Sequence, residues 1–249
     1  MSEARIRVGI GGWTYAPWRG VFYPDKLTQS RELEYASGHL GAIEINATFY
    51  SRQSLKSWEK WRDSVPDGFQ FAIKGSRFCV TRTRLSEGAE GVGNFFAQGF
   101  AALGPKLGPI MWQFLPRRKF DRDDIAGFID LLPSKIDGVA LRHALEPRHE
   151  SFRDERFFEL CKARNIAIVY EDSDEYPLIE RNTADFSYAR LQRMNEEMTT
   201  GYDAAALDHF AALAKAHTSA GRDCYVFFIN GAKVRAPAAA MALQDRVAG

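Results

Sequence analysis

AIEINATFYSRQSLKSWEKWRDSVPDGFQFAIK, residues 42–74, is the stretch whose reading decides the fold. Its two ends, residues 42–46 and 69–74, are short runs rich in β-branched and aromatic residues, and helical spacing fills residues 54–65 between them. Working outward, strand-like runs of this kind recur at residues 6–11, 110–114, 138–146, 166–172, 186–192 and 224–230, so eight stand in all. Segments with helical spacing lie at residues 30–38, 94–103, 121–132, 153–164 and 202–220, and a tail from Ala236, with Pro237 near its start, reads as a closing helix. Alternating strand and helix favours a parallel sheet, and eight repeats in 249 residues is the count that closes a barrel. The expected fold class is α/β: a single TIM-type (β/α)8 barrel over residues 1–249, with some helices irregular or missing. A doubly wound open sheet is the alternative that shares the same alternation.

Composition bounds the partners. Lys plus Arg (33) nearly cancels Asp plus Glu (32), so a net charge of +1 offers no global field toward nucleic acid or an anionic membrane. Any anion site has to be local. Cys79, Cys161 and Cys224 are far apart and form no C-x-x-C pattern, which argues against a disulfide framework or a zinc knuckle and fits a reducing compartment. Residues 1–7 are charged and lack the apolar run of a signal peptide, and no later stretch has the length to span a bilayer. A cytoplasmic location, with no membrane partner, is the expectation.

In a barrel of this type the site lies at the carboxyl ends of the strands. Those ends are polar. Side chains alternate along a strand, so Glu44 shares a face with Asn46, Glu146 with Arg148, and Tyr188 with Arg190 and Gln192, while Lys74, Gln113, Asp172 and Asn230 stand at or near the ends of their own runs. Three acids, Glu44, Glu146 and Asp172, thus face three bases, Lys74, Arg148 and Arg190. One reading is a neutral, mutually paired network with no ligand. The other is a ligand site in which Glu44, Glu146, Asp172 and Lys74 do acid–base chemistry and the remaining groups bind. The first strand leaves through Gly11, Gly12, Trp13, Thr14 and Tyr15, and Tyr50 follows the second. Glycines admit close approach, and these aromatics either wall a pocket or plug the barrel mouth.

Other chemistries are poorly supplied. The run from Gly9 to Trp13 lacks the later helix-opening glycine of a dinucleotide fingerprint. With five histidines, Glu44, Glu146, His149 and Asp172 are the residues that could meet on a divalent ion, too few for a multi-zinc centre, and neither a metal nor a cofactor is expected. There is no G-x-S-x-G elbow and no cysteine at a strand exit.

Several segments together resemble one family: V-G-I-G-G-W-T-Y with W-R-G-V-F-Y-P within residues 8–24, E-I-N-A-T-F-Y at 44–50, F-Q-F-A-I-K at 69–74, L-G-P-I-M-W-Q-F-L-P at 107–116, L-E-P-R-H-E-S-F at 145–152, E-D-S-D-E-Y-P at 171–177, Y-A-R-L-Q at 188–192 and A-K-V-R-A-P at 232–237. They are similar to the domain of unknown function 72 family, the YecE-like barrels of bacteria and archaea. The resemblance implies a TIM-type barrel with a polar pocket at the strand ends and no established activity. Its pattern falls on Trp13, Tyr15, Glu44, Asn46, Phe49, Tyr50, Lys74, Gln113, Glu146, Arg148, His149, Ser151, Asp172, Tyr188 and Arg190. This chain departs from it where many members read R-x-H-G, having Gln192 and Arg193, and at Ala239, where asparagine is frequent. Likeness of such barrels to endonuclease IV and to sugar-isomerase-like proteins suggests nucleotide or DNA binding by fold analogy alone. The expected function is therefore an enzyme acting on an unidentified small polar or anionic ligand, sugar- or phosphate-bearing, by metal-independent acid–base catalysis. A nucleotide or nucleic-acid binder and a non-catalytic scaffold are the alternatives.

Overall fold

The computed structural model describes residues 4–248. The chain runs through β1 (Ile6–Gly11), β2 (Ala42–Ile45), β3 (Gln70–Lys74) and β4 (Leu107–Gln113) to a small hairpin of β5 (Lys135–Ile136) and β6 (Val139–Ala140). β7 (His143–Glu146), β8 (Ala167–Ile168), β9 (Tyr170–Asp172), β10 (Phe186–Leu191) and β11 (Asp223–Phe228) follow. All pairings in the main sheet are parallel, and β1 pairs with both β2 and β11. The ends of that ladder are β8, paired with β7, and β9, paired with β10. These are consecutive pieces of one extended run broken only at Val169, whose N–H still reaches the Leu145 carbonyl at 2.9 Å. One strand therefore passes from one neighbour to the other, and the sheet closes as an eight-stranded barrel.

Around it stand α1 (Glu32–His39), α2 (Ala47–Tyr50), α3 (Leu55–Asp63), α4 (Arg77–Val80), α5 (Ala89–Phe96), α6 (Arg122–Leu131), α7 (Glu155–Ala163), α8 (Ala204–Ser219) and α9 (Ala236–Ala248). The start of five of them is written locally: Ser54, Ser76, Asp121, Asp154 and Asp203 each accept a hydrogen bond from a backbone N–H in the first turn, relieving donors that a helix leaves unpaired. No helix forms between β9 and β10, so one expected barrel helix is missing. None of the helices described is long and apolar enough to cross a membrane.

Side-chain size separates inside from outside. Ala42, Ala72, Ala144 and Ala167 face the barrel interior, where Met111, Phe186, Tyr188, Tyr225 and Phe227 fill the space, while Ile43, Ile45, Phe71, Ile73, Leu145 and Ile168 point outward under the helices. Small residues on one wall thus accommodate bulky ones from β10 and β11. Gly9 belongs to the same economy of space, since a Cβ there would be driven into the Ala42 carbonyl oxygen.

Two expected elements are corrected. Residues 94–103 are not one helix: α5 begins earlier, and Gly99, in the left-handed region at φ 87°, separates it from a 3-10 segment at Phe100–Lys106. Residues 138–146 are not one strand either. Asp137 and Gly138 both take positive φ, 47° and 85°, and reverse the chain into the β5–β6 hairpin, leaving only His143–Glu146 for the barrel.

Candidate functional site at the barrel mouth

Register explains which groups meet. Lys74 is level with Met111, Gln113 with Glu146 and Arg190 with Glu171, and residues level with one another on neighbouring strands present the same face. Met111 lies in the interior cluster, so Lys74 points inward beside it. By the same alternation Arg190 and Glu171 point inward, whereas Leu191 and its partner Asp172 point outward.

Arg190 occupies the centre of the floor and is 1% exposed. Its guanidinium bridges the two oxygens of Glu44 at 3.2 Å each, reaches Gln113 Oε1 at 3.2 Å and pairs with Glu146 Oε2. The Tyr188 hydroxyl donates to Glu44 Oε2 at 2.6 Å from below. Arg148 Nε donates to Glu146 Oε1 at 2.7 Å, and its Nη2 stands 3.3 Å from Glu171 Oε1. Gln192 then donates to Glu171 Oε1 at 2.5 Å, and Asn230 to Gln192 Oε1 at 2.8 Å. Lys74 Nζ donates to Gln113 Oε1 at 2.8 Å and lies 4.6 Å from the centre of the Phe49 ring.

Above this floor opens a cavity of about 640 Å³. Gly11, Gly12, Trp13, Asn46, Tyr50, Trp61, Gln113, Ile229 and Asn230 line it together with four cations, Lys74, Arg148, Arg190 and Lys233. The lining includes neither Asp nor Glu. Glu44, Glu146 and Glu171 lie beneath it, none more than 1% exposed, so the acids stand behind the ring while the cations meet the cavity. Trp13 packs edge-on against Trp61 with ring centres 5.1 Å apart, and Gly12 takes φ 72° to turn the chain out of β1. A smaller apolar cavity of about 300 Å³ lies on the flank, among Ile168, Tyr170, Ile179 and Phe210, where the missing helix leaves the barrel wall thinly covered.

Burial and charge set the proton affinities. Burial, with the neighbouring charge of Glu146, pushes Glu171 up to about 8. Its Oε2 is buried without a hydrogen-bond partner among the described residues, a position better suited to a protonated carboxyl than to a carboxylate. Burial also pushes Lys74 down to about 8, with Arg190 acting the same way. Burial works against the Glu146 carboxylate, but Arg190, Arg148 and Lys74 outweigh it and hold the group below the ordinary range. Burial and Glu44 raise Tyr188 well above its ordinary value.

Of the residues singled out in the sequence, Trp13, Asn46, Tyr50, Lys74, Gln113, Arg148, Arg190 and Asn230 line the cavity, and Glu44, Glu146 and Tyr188 form the layer under it. Asp172 is corrected: its carboxylate accepts from the Tyr202 hydroxyl at 2.7 Å and pairs with Arg193 at 2.5 Å on the outer side of the barrel. Tyr15 lies beside the cavity rather than in its lining, packed on Trp18 at 5.2 Å and under Lys233 Nζ at 4.8 Å. Glu44, Glu146, His149 and Asp172 do not converge, for His149 Nδ1 accepts from the Ser151 N–H and Asp172 faces away. Sequence reasoning missed Glu171, Trp61 and Lys233. The signal for Glu171 was the small residue: Ala167 matches Ala42, Ala72 and Ala144, and counting by twos from Ala167 arrives at Glu171.

The family described as "Protein of unknown function DUF72" matches residues 7–249. The chain belongs to this family. Among curated relatives it is 25% identical over 159 residues to the UPF0759 protein YunF of Bacillus subtilis, covering 62% of this chain and 54% of YunF. It is 28% identical over 153 residues to the UPF0759 protein YecE of Escherichia coli, covering 55% of this chain and 48% of YecE. The chain thus spans about half the length of the curated relatives it matches. A DUF72 family protein from Thermotoga maritima superposes with a TM-score of 0.79 at 22% identity, over 98% of this chain and all of that one (100%). That likeness is one of fold, and in both chains the fold is the family's TIM-like barrel.

Proposed function

We propose that this DUF72 barrel binds a small anionic ligand, such as a sugar phosphate or organic acid, at the carboxyl ends of its strands and acts on it by acid–base chemistry of its own side chains. One observation carries the reading: Lys74, Arg148, Arg190 and Lys233 line the cavity while Glu44, Glu146 and Glu171 are buried under it. Neither lysine is within ion-pairing distance of a carboxylate among the described residues, so an arriving anion need not displace an internal partner from them. The aromatic wall of Trp13, Trp61 and Tyr50 suits the face of a sugar ring. Lys74, which lines the cavity and is brought to about 8, is the proposed acid–base group, with Glu171, also near 8, in the layer beneath it where the sequence suggested Asp172. Three buried, unpaired cysteines support a cytoplasmic setting as part of the same proposal.

Calorimetric titration with inorganic phosphate and with ribose 5-phosphate tests it. Saturable binding that weakens about ten-fold or more in Lys233→Ala supports the reading. Absence of binding for both anions rejects it.

A nucleic-acid partner is the second reading, favoured by Arg77 lying over the exposed rings of Tyr50 and Phe78 at 5.9 and 5.3 Å on the rim. Retention of single-stranded oligonucleotides that falls steeply with added salt would support it, and no retention at low salt would reject it.

A further inference from the structure

Resting on the anion-binding reading above, we propose that Lys74 forms an imine with the carbonyl group of a small anionic aldehyde or ketone held in this cavity. The four cations of the cavity are not equivalent. Arg190 is committed to Glu44 and Glu146, and Arg148 to Glu146 and Glu171. Lys74 has no carboxylate partner among the described residues, and its hydrogen bond goes to the neutral Gln113 amide oxygen. Gln113 Oε1 and the Phe49 ring both favour the ammonium form, but burial and the Arg190 guanidinium outweigh them and leave the amine near 8. Near neutral pH about a tenth of such an amine is free base, against about one part in three thousand for a solvated lysine. A desolvated, uncommitted amine beside another cation is the condition that makes lysine a nucleophile toward carbonyl carbon.

The surroundings supply the rest. Lys74 ends a barrel strand, and the Thr48 hydroxyl donates to its backbone carbonyl at 2.6 Å, so the amine stands on a fixed base. Lys233, which has no carboxylate partner among the described residues, remains to receive a carboxylate or phosphate, with Asn46 and Asn230 as neutral polar groups. In the step itself the Nζ lone pair attacks the carbonyl carbon, the C–N bond forms, and the π pair moves to oxygen, which takes up a proton. The resulting carbinolamine then expels its hydroxyl with a second proton as water while the nitrogen lone pair closes the C=N bond. Both amine protons leave with the carbonyl oxygen, so amine and carbonyl give imine and water with no external oxidant or reductant.

The test is reductive trapping on the full chain with glyoxylate and cyanoborohydride, read by intact mass and peptide mapping. The expected result is a single adduct on Lys74, formed about ten-fold or more faster than at any other lysine, with a rate that climbs as pH rises through about 8. Lys74→Arg and Lys74→Met should lose that adduct; because mapping of the unaltered protein already locates it, the result does not depend on either variant folding. No adduct, an adduct on Lys233, or labelling spread evenly over the lysines overturns the proposal. A parallel calorimetric titration with oxalate, an anion without a reactive carbonyl, separates the two ideas. Oxalate binding without trapping rejects the imine and retains the anion site, whereas no oxalate binding and no trapping reject both.

Discussion

Arg190 holds two buried carboxylates apart and in place, and its removal leaves Glu44 without a paired cation and Glu146 with Arg148 alone. Arg190→Ala should therefore cost about 3–5 kcal/mol in urea denaturation, the range for breaking one side of a buried ion network. Arg190→Lys should recover little of it, because one ammonium cannot span the two carboxylates and Gln113 as a planar fork does. Glu171 makes a prediction about pH. Its folded value, about 8, lies above the ordinary 4.5, so the stability tied to its protonated form is complete below about 4.5 and is lost as pH rises through about 8. Gln cannot ionise. The stability of Glu171→Gln relative to the unaltered protein should thus increase across that window and level off above it, measured by denaturation at a series of pH values. A flat difference would show that Glu171 ionises in the fold as it does in water.

At the scale of elements, the most local instructions govern helix starts and chain reversals. Asp121 accepts from the N–H groups of both Asp123 and Asp124, so Asp121→Ala should lower stability by about 1 kcal/mol, seen as a shifted denaturation midpoint with an unchanged slope. The readings of residues 121–132 and 153–164, made from helical spacing, begin at or within one residue of these caps, because a capping side chain acts within a few residues of its own position. The Asp137-Gly138 reversal was equally local and was overrun by the apolar residues after it, which read as one continuous strand. The break at Gly99 depends on a backbone conformation that glycine permits but does not announce.

For the molecule as a whole, closure at Val169 and the unequal filling of the barrel are what set the site. Bulky interior groups come from β10 and β11, and much of the remaining wall is alanine on a closed backbone that has little freedom to move inward. Phe227→Ala should consequently fall at the upper end of the about 3–5 kcal/mol range for large-to-small core changes, checked by chemical denaturation. The charged floor rests directly on this filler: Tyr188 packs on Phe227 at 5.1 Å and donates to Glu44.

The sequence by itself determined the number of barrel strands, their parallel order, the polar character of their ends and a near balance of charge there. Periodicity and composition suffice for these, since each is a property of residues taken along the chain. Only the tertiary structure decided which face of each strand is concave. Period two states that Glu171 and Asp172 face opposite ways, and both faces of residues 166–169 are apolar, so the small size of Ala167 marks the inward face only once the other strands' alanines are known to point inward. The register of β9 on β10 settles it by placing Glu171 level with Arg190. The same holds for Lys74, whose lack of a carboxylate partner follows from where Arg190 and Arg148 direct Glu44, Glu146 and Glu171. Charge balance can be counted along a chain, but which charges are left uncommitted depends on distances between strands far apart in sequence.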